Sequence, residues 1–174
     1  MGDVRGKRIL FFVGTDYEDL ELWYPKLRLE EAGCHTILAG LEADALYHGK
    51  HGYPATSDDA VHDLSAEEFD GLVIPGGWMP DKLRREERVK ALTRDIFRAG
   101  KMVAAICHGP WILQSAGLVK GRTLTSSPGI RDDLVYAGAE WVDRSVVVDD
   151  PLVTARRPGD LPDFCRGILE VLGR

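Results

Sequence analysis

Short apolar runs alternate with segments of helical periodicity along the whole chain, and this alternation restricts the fold more than any other feature. Apolar runs predict buried strands at residues 8–13, 34–39, 72–75 and 102–106. Helical spacing of apolar residues predicts helices at 19–31, 81–99, 108–116 and 160–172. Such alternation favours an α/β fold whose sheet is mostly parallel and covered on both faces.

Weaker patterns fill the rest of the chain. Further strands are predicted near residues 123–126, 141–142, 146–148 and 152–154, and residues 44–57 are typical of a hairpin or loop. Pro25 falls inside the first helical pattern, where we expect it either to kink the helix or to mark its functional edge. Since no internal repeat or linker interrupts the 174 residues, we expect one domain over residues 1–174.

Composition excludes several function classes. The net charge is −6, and no stripe of Lys and Arg offsets it, which argues against nucleic-acid binding. No apolar run is long enough to cross a membrane, and the first eight residues lack a signal-peptide pattern. The three cysteines are too few and too widely spaced for a disulfide framework or a zinc site. We therefore expect a cytoplasmic protein with reduced thiols.

One cysteine lies where a strand turns sharply into a helix. The predicted strand 102–106 runs directly into Cys107, and His108, Gly109 and Pro110 follow before the helical pattern begins. This order predicts a nucleophile elbow that carries Cys instead of Ser. The positive end of the following helix would favour thiolate over thiol. Cys34 and Cys165 have no such setting, and we interpret them as packing residues.

Two further loops should lie beside this elbow, because the carboxyl ends of parallel strands share one edge of a sheet. Glu18 follows the first strand; it either favours the helix N-terminus or holds a carboxyl group against the Cys107 sulfur. Gly76 and Gly77 follow the third strand, and either form a plain turn or let a backbone N–H contribute, with that of His108, to an oxyanion hole. His108 is a candidate base, although neighbouring side chains on an elbow tend to point apart.

Metal and cofactor binding receive little support. His48 and His51 are three residues apart in a glycine-containing segment, but no acidic or cysteine partner falls at a suitable spacing. We therefore expect neither a metal site nor a cofactor.

Several motifs in a fixed order resemble the ThiJ/PfpI superfamily, and specifically its PfpI-like intracellular cysteine protease branch. The resemblance spans nearly the whole chain. The motifs are EDLEL followed by YP at residues 18–25, GKHGY at 49–53, VIPGG at 73–77, AICHGP at 105–110 and PGIRDD at 128–133. The resemblance implies a flavodoxin-like, doubly wound α/β sandwich.

The resemblance also implies roles for individual residues. Cys107 would be the nucleophile, Glu18 the acid beside it and His108 the residue paired with it. In hexameric PfpI-type proteases a Glu from a neighbouring subunit orients the His, and Asp81 stands at the matching position here. The resemblance further implies a homodimer, with a larger homo-oligomer as an alternative.

The function expected from these residues is a stress-protective cysteine enzyme in which Cys107 attacks a carbonyl carbon. The substrate would be a peptide, as for a cysteine hydrolase, or an α-oxoaldehyde or its protein adduct, as for a glyoxalase or deglycase. The alternative is a redox sensor or chaperone without enzymatic activity that uses oxidation of Cys107.

Overall fold

A computed structural model describes residues 2–174 of the protein. Its strands are β1 (Arg8–Phe12), β2 (His35–Gly40), β3 (Leu46–His48), β4 (Pro54–Thr56), β5 (Asp59–Ala60), β6 (Gly71–Ile74), β7 (Met102–Ile106), β8 (Thr123–Leu124), β9 (Glu140–Trp141), β10 (Val146–Asp149) and β11 (Leu152–Ala155). Its helices are α1 (Asp19–Glu31), α2 (Met79–Leu83), α3 (Glu87–Arg98), α4 (Pro110–Ser115), α5 (Arg131–Tyr136) and α6 (Leu161–Leu172).

Seven of the strands form one sheet in the order β10-β11-β7-β6-β1-β2-β5. Every neighbouring pair in this sheet is parallel except β10 with β11. Strands β3 and β4 form a separate antiparallel hairpin, and β8 pairs with β9. The predicted mostly parallel α/β fold is therefore confirmed.

The direction of the crossovers explains why both faces of the sheet are covered. The chain moves from β1 through α1 to β2 in one direction, and from β6 through α3 to β7 in the other. Because parallel crossovers are right-handed, these two helices lie on opposite faces. All residues of β6 and β7 are accordingly buried. The direction reverses between β1 and β6, and the carboxyl ends of strands at such a reversal form the usual ligand crevice of open α/β sheets.

The helix expected over residues 81–99 is divided in two, which corrects that prediction. Helix α2 ends at Leu83, and α3 begins after Glu86, whose backbone is extended with ψ at 122°. Leu83 and Val89 are both buried, whereas helical spacing would require an apolar residue at 86 or 87, where glutamates stand. A single continuous helix therefore could not bury Leu83 and Val89 on one apolar face.

Two other local predictions can be compared with the structure. The segment predicted as a hairpin or loop contains the β3–β4 hairpin. Pro25 lies inside α1 without ending it, and it has no N–H to donate to the carbonyl of Glu21 four residues earlier.

Within residues 2–174 none of the helices has the length and apolar character needed to cross a lipid bilayer.

Candidate active site

Cys107 lies at the sharp turn between β7 and α4. Its backbone is left-handed, with φ at 62°, and its N–H donates to the carbonyl of Ala155 at 3.0 Å. The turn is close-packed: a Cβ at Gly109 would lie 2.5 Å from the carbonyl oxygen of Ile74. Only glycine fits this approach of backbone to backbone, so the residues after Cys107 fix the elbow and leave its side chain partly exposed.

The carboxyl group beside the Cys107 thiol belongs to Glu21, which corrects the prediction that Glu18 occupies this place. Glu21 is completely buried, accepts the N–H of Gly76 at 2.8 Å and interacts with the Cys107 side chain. Glu18 caps α1 instead, because its Oε2 accepts the N–H of Glu21 at 2.9 Å. The sequence contained a signal for this arrangement. Position 21 precedes Pro25 and Leu29 at successive intervals of four residues, which places Glu21 on the same buried face of α1.

The backbone donors around the sulfur also differ in part from the expected oxyanion hole. The N–H of Gly76 faces Glu21 and is therefore already used. The N–H groups of Gly77 and His108 both donate toward the Cys107 sulfur. Gly77 has φ at 78°, and its position is fixed by a bridge to Tyr17 in the loop after β1. Of the two glycines proposed for the oxyanion hole, Gly77 is therefore the one that presents its N–H to the reacting centre.

Glu21 and Cys107 both hold their protons more tightly than usual. Burial, followed by the negative charge of Glu18, raises the pKa of Glu21 to about 8. Burial, followed by the charge of Glu21, raises the pKa of Cys107 to about 12, whereas the N–H groups of Gly77 and His108 act to lower it. The backbone N–H groups thus act in the predicted direction, but burial outweighs them, and the pKa of the thiol is raised instead of lowered. At neutral pH Glu21 is a carboxylic acid, which can donate a proton.

His108 turns its ring back toward Cys107, in contrast to the expectation that neighbouring side chains point apart. Its Nδ1 lies 3.1 Å from Sγ of Cys107. Burial, followed by the positive charge of Lys50, lowers the pKa of His108. A neutral imidazole in this position can accept the thiol proton. The sequence does not indicate Lys50 as a site residue. It lies in the turn of the β3–β4 hairpin, and only the folded hairpin brings its charge near His108.

Two tryptophans enclose the His108 ring. The ring centroids of Trp78 and Trp111 lie 5.6 Å and 5.1 Å from that of His108. Trp111 donates its indole N–H to Asp133 at 2.8 Å. The indole of Trp78, in contrast, is 58% exposed.

Asp81 lies in the first turn of α2 and is engaged within its own chain. Its Oδ2 lies 2.5 Å from the guanidinium of Arg85, four residues later. Asp81 is partly exposed, so it is accessible at the surface, but among residues 2–174 it forms no recorded contact with His108. The pairing of Asp81 with His108 across subunits therefore stays a prediction.

A cluster of possible metal ligands lies on the other side of α1. Ligand atoms of Glu18, Asp19 and His51 lie within 4.8 Å of one another. Asp19 already accepts the N–H groups of His51 and Tyr53, both at 2.9 Å. The cluster thus fixes the β3–β4 turn to the start of α1. A cavity of about 610 Å³ adjoins it, lined mainly by Leu20, Trp23, Leu27, His51, Tyr53 and Pro54.

The chain was compared with known proteins. The model of the DJ-1/PfpI family matches residues 7–171. Deglycase PfpI of Pyrococcus furiosus is 46% identical over 95% of this chain and 99% of that protein. Deglycase PH1704 of Pyrococcus horikoshii is 45% identical over the same shares of the two chains.

Solved structures show the same architecture. Drosophila melanogaster DJ-1beta superposes with a TM-score of 0.89 at 28% identity, covering 97% of this chain and 92% of that one. A two-domain protein from Anabaena variabilis, with DJ-1/ThiJ/PfpI-like and ferritin-like domains, gives a TM-score of 0.94 at 37% identity over 96% of this chain. This chain spans 48% of that protein. The motifs, the fold and these matches agree, and the chain belongs to the DJ-1/PfpI family.

Proposed function

We propose that the protein is a cysteine-dependent deglycase that acts on adducts formed between α-oxoaldehydes and amino or thiol groups. The observation that carries the proposal is the convergence of a thiol, a neutral carboxylic acid, a neutral imidazole and two backbone N–H groups at one point. Cys107, Glu21 and His108 supply the side chains, and Gly77 and His108 supply the N–H groups. The names of the Pyrococcus relatives support the same activity.

The geometry supports a defined division of labour in the first step. Nδ1 of His108 accepts the thiol proton, and the resulting thiolate of Cys107 forms a C–S bond to the substrate carbonyl carbon. The electron pair of the C=O π bond moves to the oxygen, which receives a proton from the carboxylic acid of Glu21. The N–H groups of Gly77 and His108 stabilise the negative charge while it develops.

Two features favour this activity over the alternatives. A protease triad would need Asp81 of a neighbouring subunit to orient His108, whereas Asp81 is paired with Arg85 in its own chain. α-Oxoaldehydes are stronger electrophiles than peptide bonds, so they need less activation of the nucleophile. They are also small enough to reach the partly buried thiol of Cys107.

Self-association is part of the proposal. One side of α1 and the adjoining hairpin expose Leu20, Tyr24, Leu27 and Tyr53, each by 41% to 59%. Exposed apolar patches of this kind are typical of protein interfaces. We therefore propose a homodimer, and light scattering of the purified protein tests it: a monomer at micromolar concentration contradicts this part.

The activity is tested with the hemithioacetal of methylglyoxal and N-acetylcysteine, and with the adduct of methylglyoxal and N-acetylarginine. We expect the wild-type protein to release the free amino acid together with lactate, and Cys107→Ser to lose at least a hundredfold in kcat/KM. Cys165→Ser is the matched control, because Cys165 is a buried thiol outside the site.

A fluorescent casein assay separates the peptidase alternative. Peptide hydrolysis that depends on Cys107, without release from either adduct, would refute the deglycase proposal. Full turnover of the adducts by Cys107→Ser would refute the covalent mechanism.

A further inference from the structure

Trp78 lies beside the residues that surround the Cys107 sulfur. It directly follows Gly77, whose N–H donates toward the Cys107 sulfur. Its own N–H donates to the carbonyl of Asp16 at 2.9 Å, which fixes the backbone where the loops after β1 and β6 meet. The Trp78 ring lies 5.6 Å from that of His108, whose Nδ1 in turn lies 3.1 Å from the Cys107 sulfur. The Trp78 indole is therefore separated from the sulfur by the His108 ring alone.

The second indole beside His108, that of Trp111, already has interaction partners within the chain. Trp111 donates its N–H to Asp133, and the guanidinium of Arg84 lies over its ring at 5.3 Å. Among residues 2–174, Trp78 has neither a recorded side-chain hydrogen bond nor a stacked cation, and 58% of its surface is exposed. The Trp78 ring contacts only the His108 ring among the aromatic side chains described, and more than half of its surface stays exposed. It therefore offers a surface for stacking beside the nucleophile.

The charges around Trp78 indicate what kind of group would stack there. Two carboxylates of the adjoining loop and helix are paired: Asp16 with Lys82 at 2.6 Å, and Asp81 with Arg85 at 2.5 Å. Glu21, the acid beside Cys107, is neutral at pH 7, so neither these two pairs nor this acid offers a free negative charge to a substrate cation. Lys50 adds a further positive charge that acts on His108. A cationic group would meet repulsion at this position, whereas an uncharged planar group would not.

We propose that the indole of Trp78 forms a subsite for an uncharged planar group attached to the reacting carbonyl, so that the enzyme prefers aryl-substituted oxoaldehydes to aliphatic ones. This inference rests on the proposed function, because it specifies the substrate of the same site. Stacking on one indole contributes about 0.5 to 1.5 kcal/mol, which corresponds to roughly a three- to tenfold preference.

The first test compares two substrates, the hemithioacetals that N-acetylcysteine forms with phenylglyoxal and with methylglyoxal. We expect Trp78→Ala to lower kcat/KM for phenylglyoxal about three- to tenfold and to leave kcat/KM for methylglyoxal within about twofold. Trp78→Phe should restore most of the preference, because its ring can still stack. Tyr136→Ala is the control: Tyr136 lies on α5 and is 87% exposed. An unchanged ratio of the two substrates in Trp78→Ala would overturn the subsite.

A second test does not depend on turnover. Phenacyl bromide and bromoacetone each alkylate a thiol with loss of bromide, and mass spectrometry follows the labelling of Cys107. Trp78→Ala should slow labelling by phenacyl bromide selectively. If the wild-type protein turns over none of the adducts, the proposed function fails, while selective labelling by phenacyl bromide would still support the subsite. If Trp78→Ala changes the oligomeric state and slows both reagents equally, Trp78 is an interface residue and the inference is wrong.

Discussion

Replacing Glu21 by Gln tests whether the buried acid is Glu21 and whether it is neutral. Because the folded protein raises the pKa of Glu21 from 4.5 to about 8, ionising it in place costs about 5 kcal/mol more than in the unfolded chain. The folded state holds this proton more tightly, so stability is greatest below pH 4.5. It declines as the pH rises toward 8 and changes no further above that value.

At pH 7 the unfavourable contribution should amount to about 3 kcal/mol. Glu21→Gln has no charge to bury, and its amide oxygen can still accept the N–H of Gly76. We therefore expect the free energy of unfolding of the variant, relative to wild type, to become more favourable by about 2 to 3 kcal/mol between pH 5 and pH 7. Urea unfolding at several pH values, followed by circular dichroism, measures this difference.

Glu18→Gln is the matched control, since it removes an acid of the same helix turn that caps α1. It should change stability by about 1 kcal/mol at most. Because the charge of Glu18 helps to raise the pKa of Glu21, it should also reduce the pH dependence between 5 and 8 without abolishing it. The reasoning would be refuted if Glu21→Gln kept the wild-type pH dependence, or if Glu18→Gln abolished it.

Two further substitutions test the site. Gly76→Ala places a Cβ 2.5 Å from Oε2 of Glu21 and 2.7 Å from Cβ of Cys107, so we expect a loss of about 1–3 kcal/mol in stability and altered alkylation of Cys107. Gly159→Ala, which meets nothing within 4 Å, is the control, and equal thermal shifts in both variants would contradict the prediction. Lys50→Met removes a charge that lowers the pKa of His108 and of Glu21, so both pKa values should rise, whereas Lys50→Arg should leave them near wild type. NMR titration of the His108 imidazole measures the shift, and a fall in its pKa would show that Lys50 does not face the ring.

The fold was predictable because its determinants are local. The fully buried strands β6 and β7 appear in the sequence as continuous apolar runs, and the elbow appears as a strand that meets Cys107, His108 and Gly109. Where local periodicity misled, as in the helix expected over 81–99, the apolar spacing is broken at Glu86 and Glu87.

The identity of the acid could not be settled in the same way. Glu18 and Glu21 are three residues apart on one helix, and both lie near the end of β1. What separates them is the N–H of Gly76, which is 55 residues away in sequence and selects Glu21. The high pKa of Cys107 likewise depends on burial by segments remote from the elbow, which outweighs the local effect of two N–H groups. Contacts of this kind become visible only when the loops after β1, β6 and β7 are placed together.

The left-handed backbone at Cys107 has a consequence for how this protein can change over time. A residue with a Cβ at φ of 62° costs roughly 1–2 kcal/mol relative to glycine. If proteins were selected for thermal stability alone, with no demand on activity, Gly or Asn would therefore be favoured at position 107. The protein would then gain stability and lose its thiol. The thiol at position 107 is therefore held in a backbone conformation that glycine would adopt at lower cost, and comparing the unfolding free energies of Cys107→Gly and wild type measures that cost.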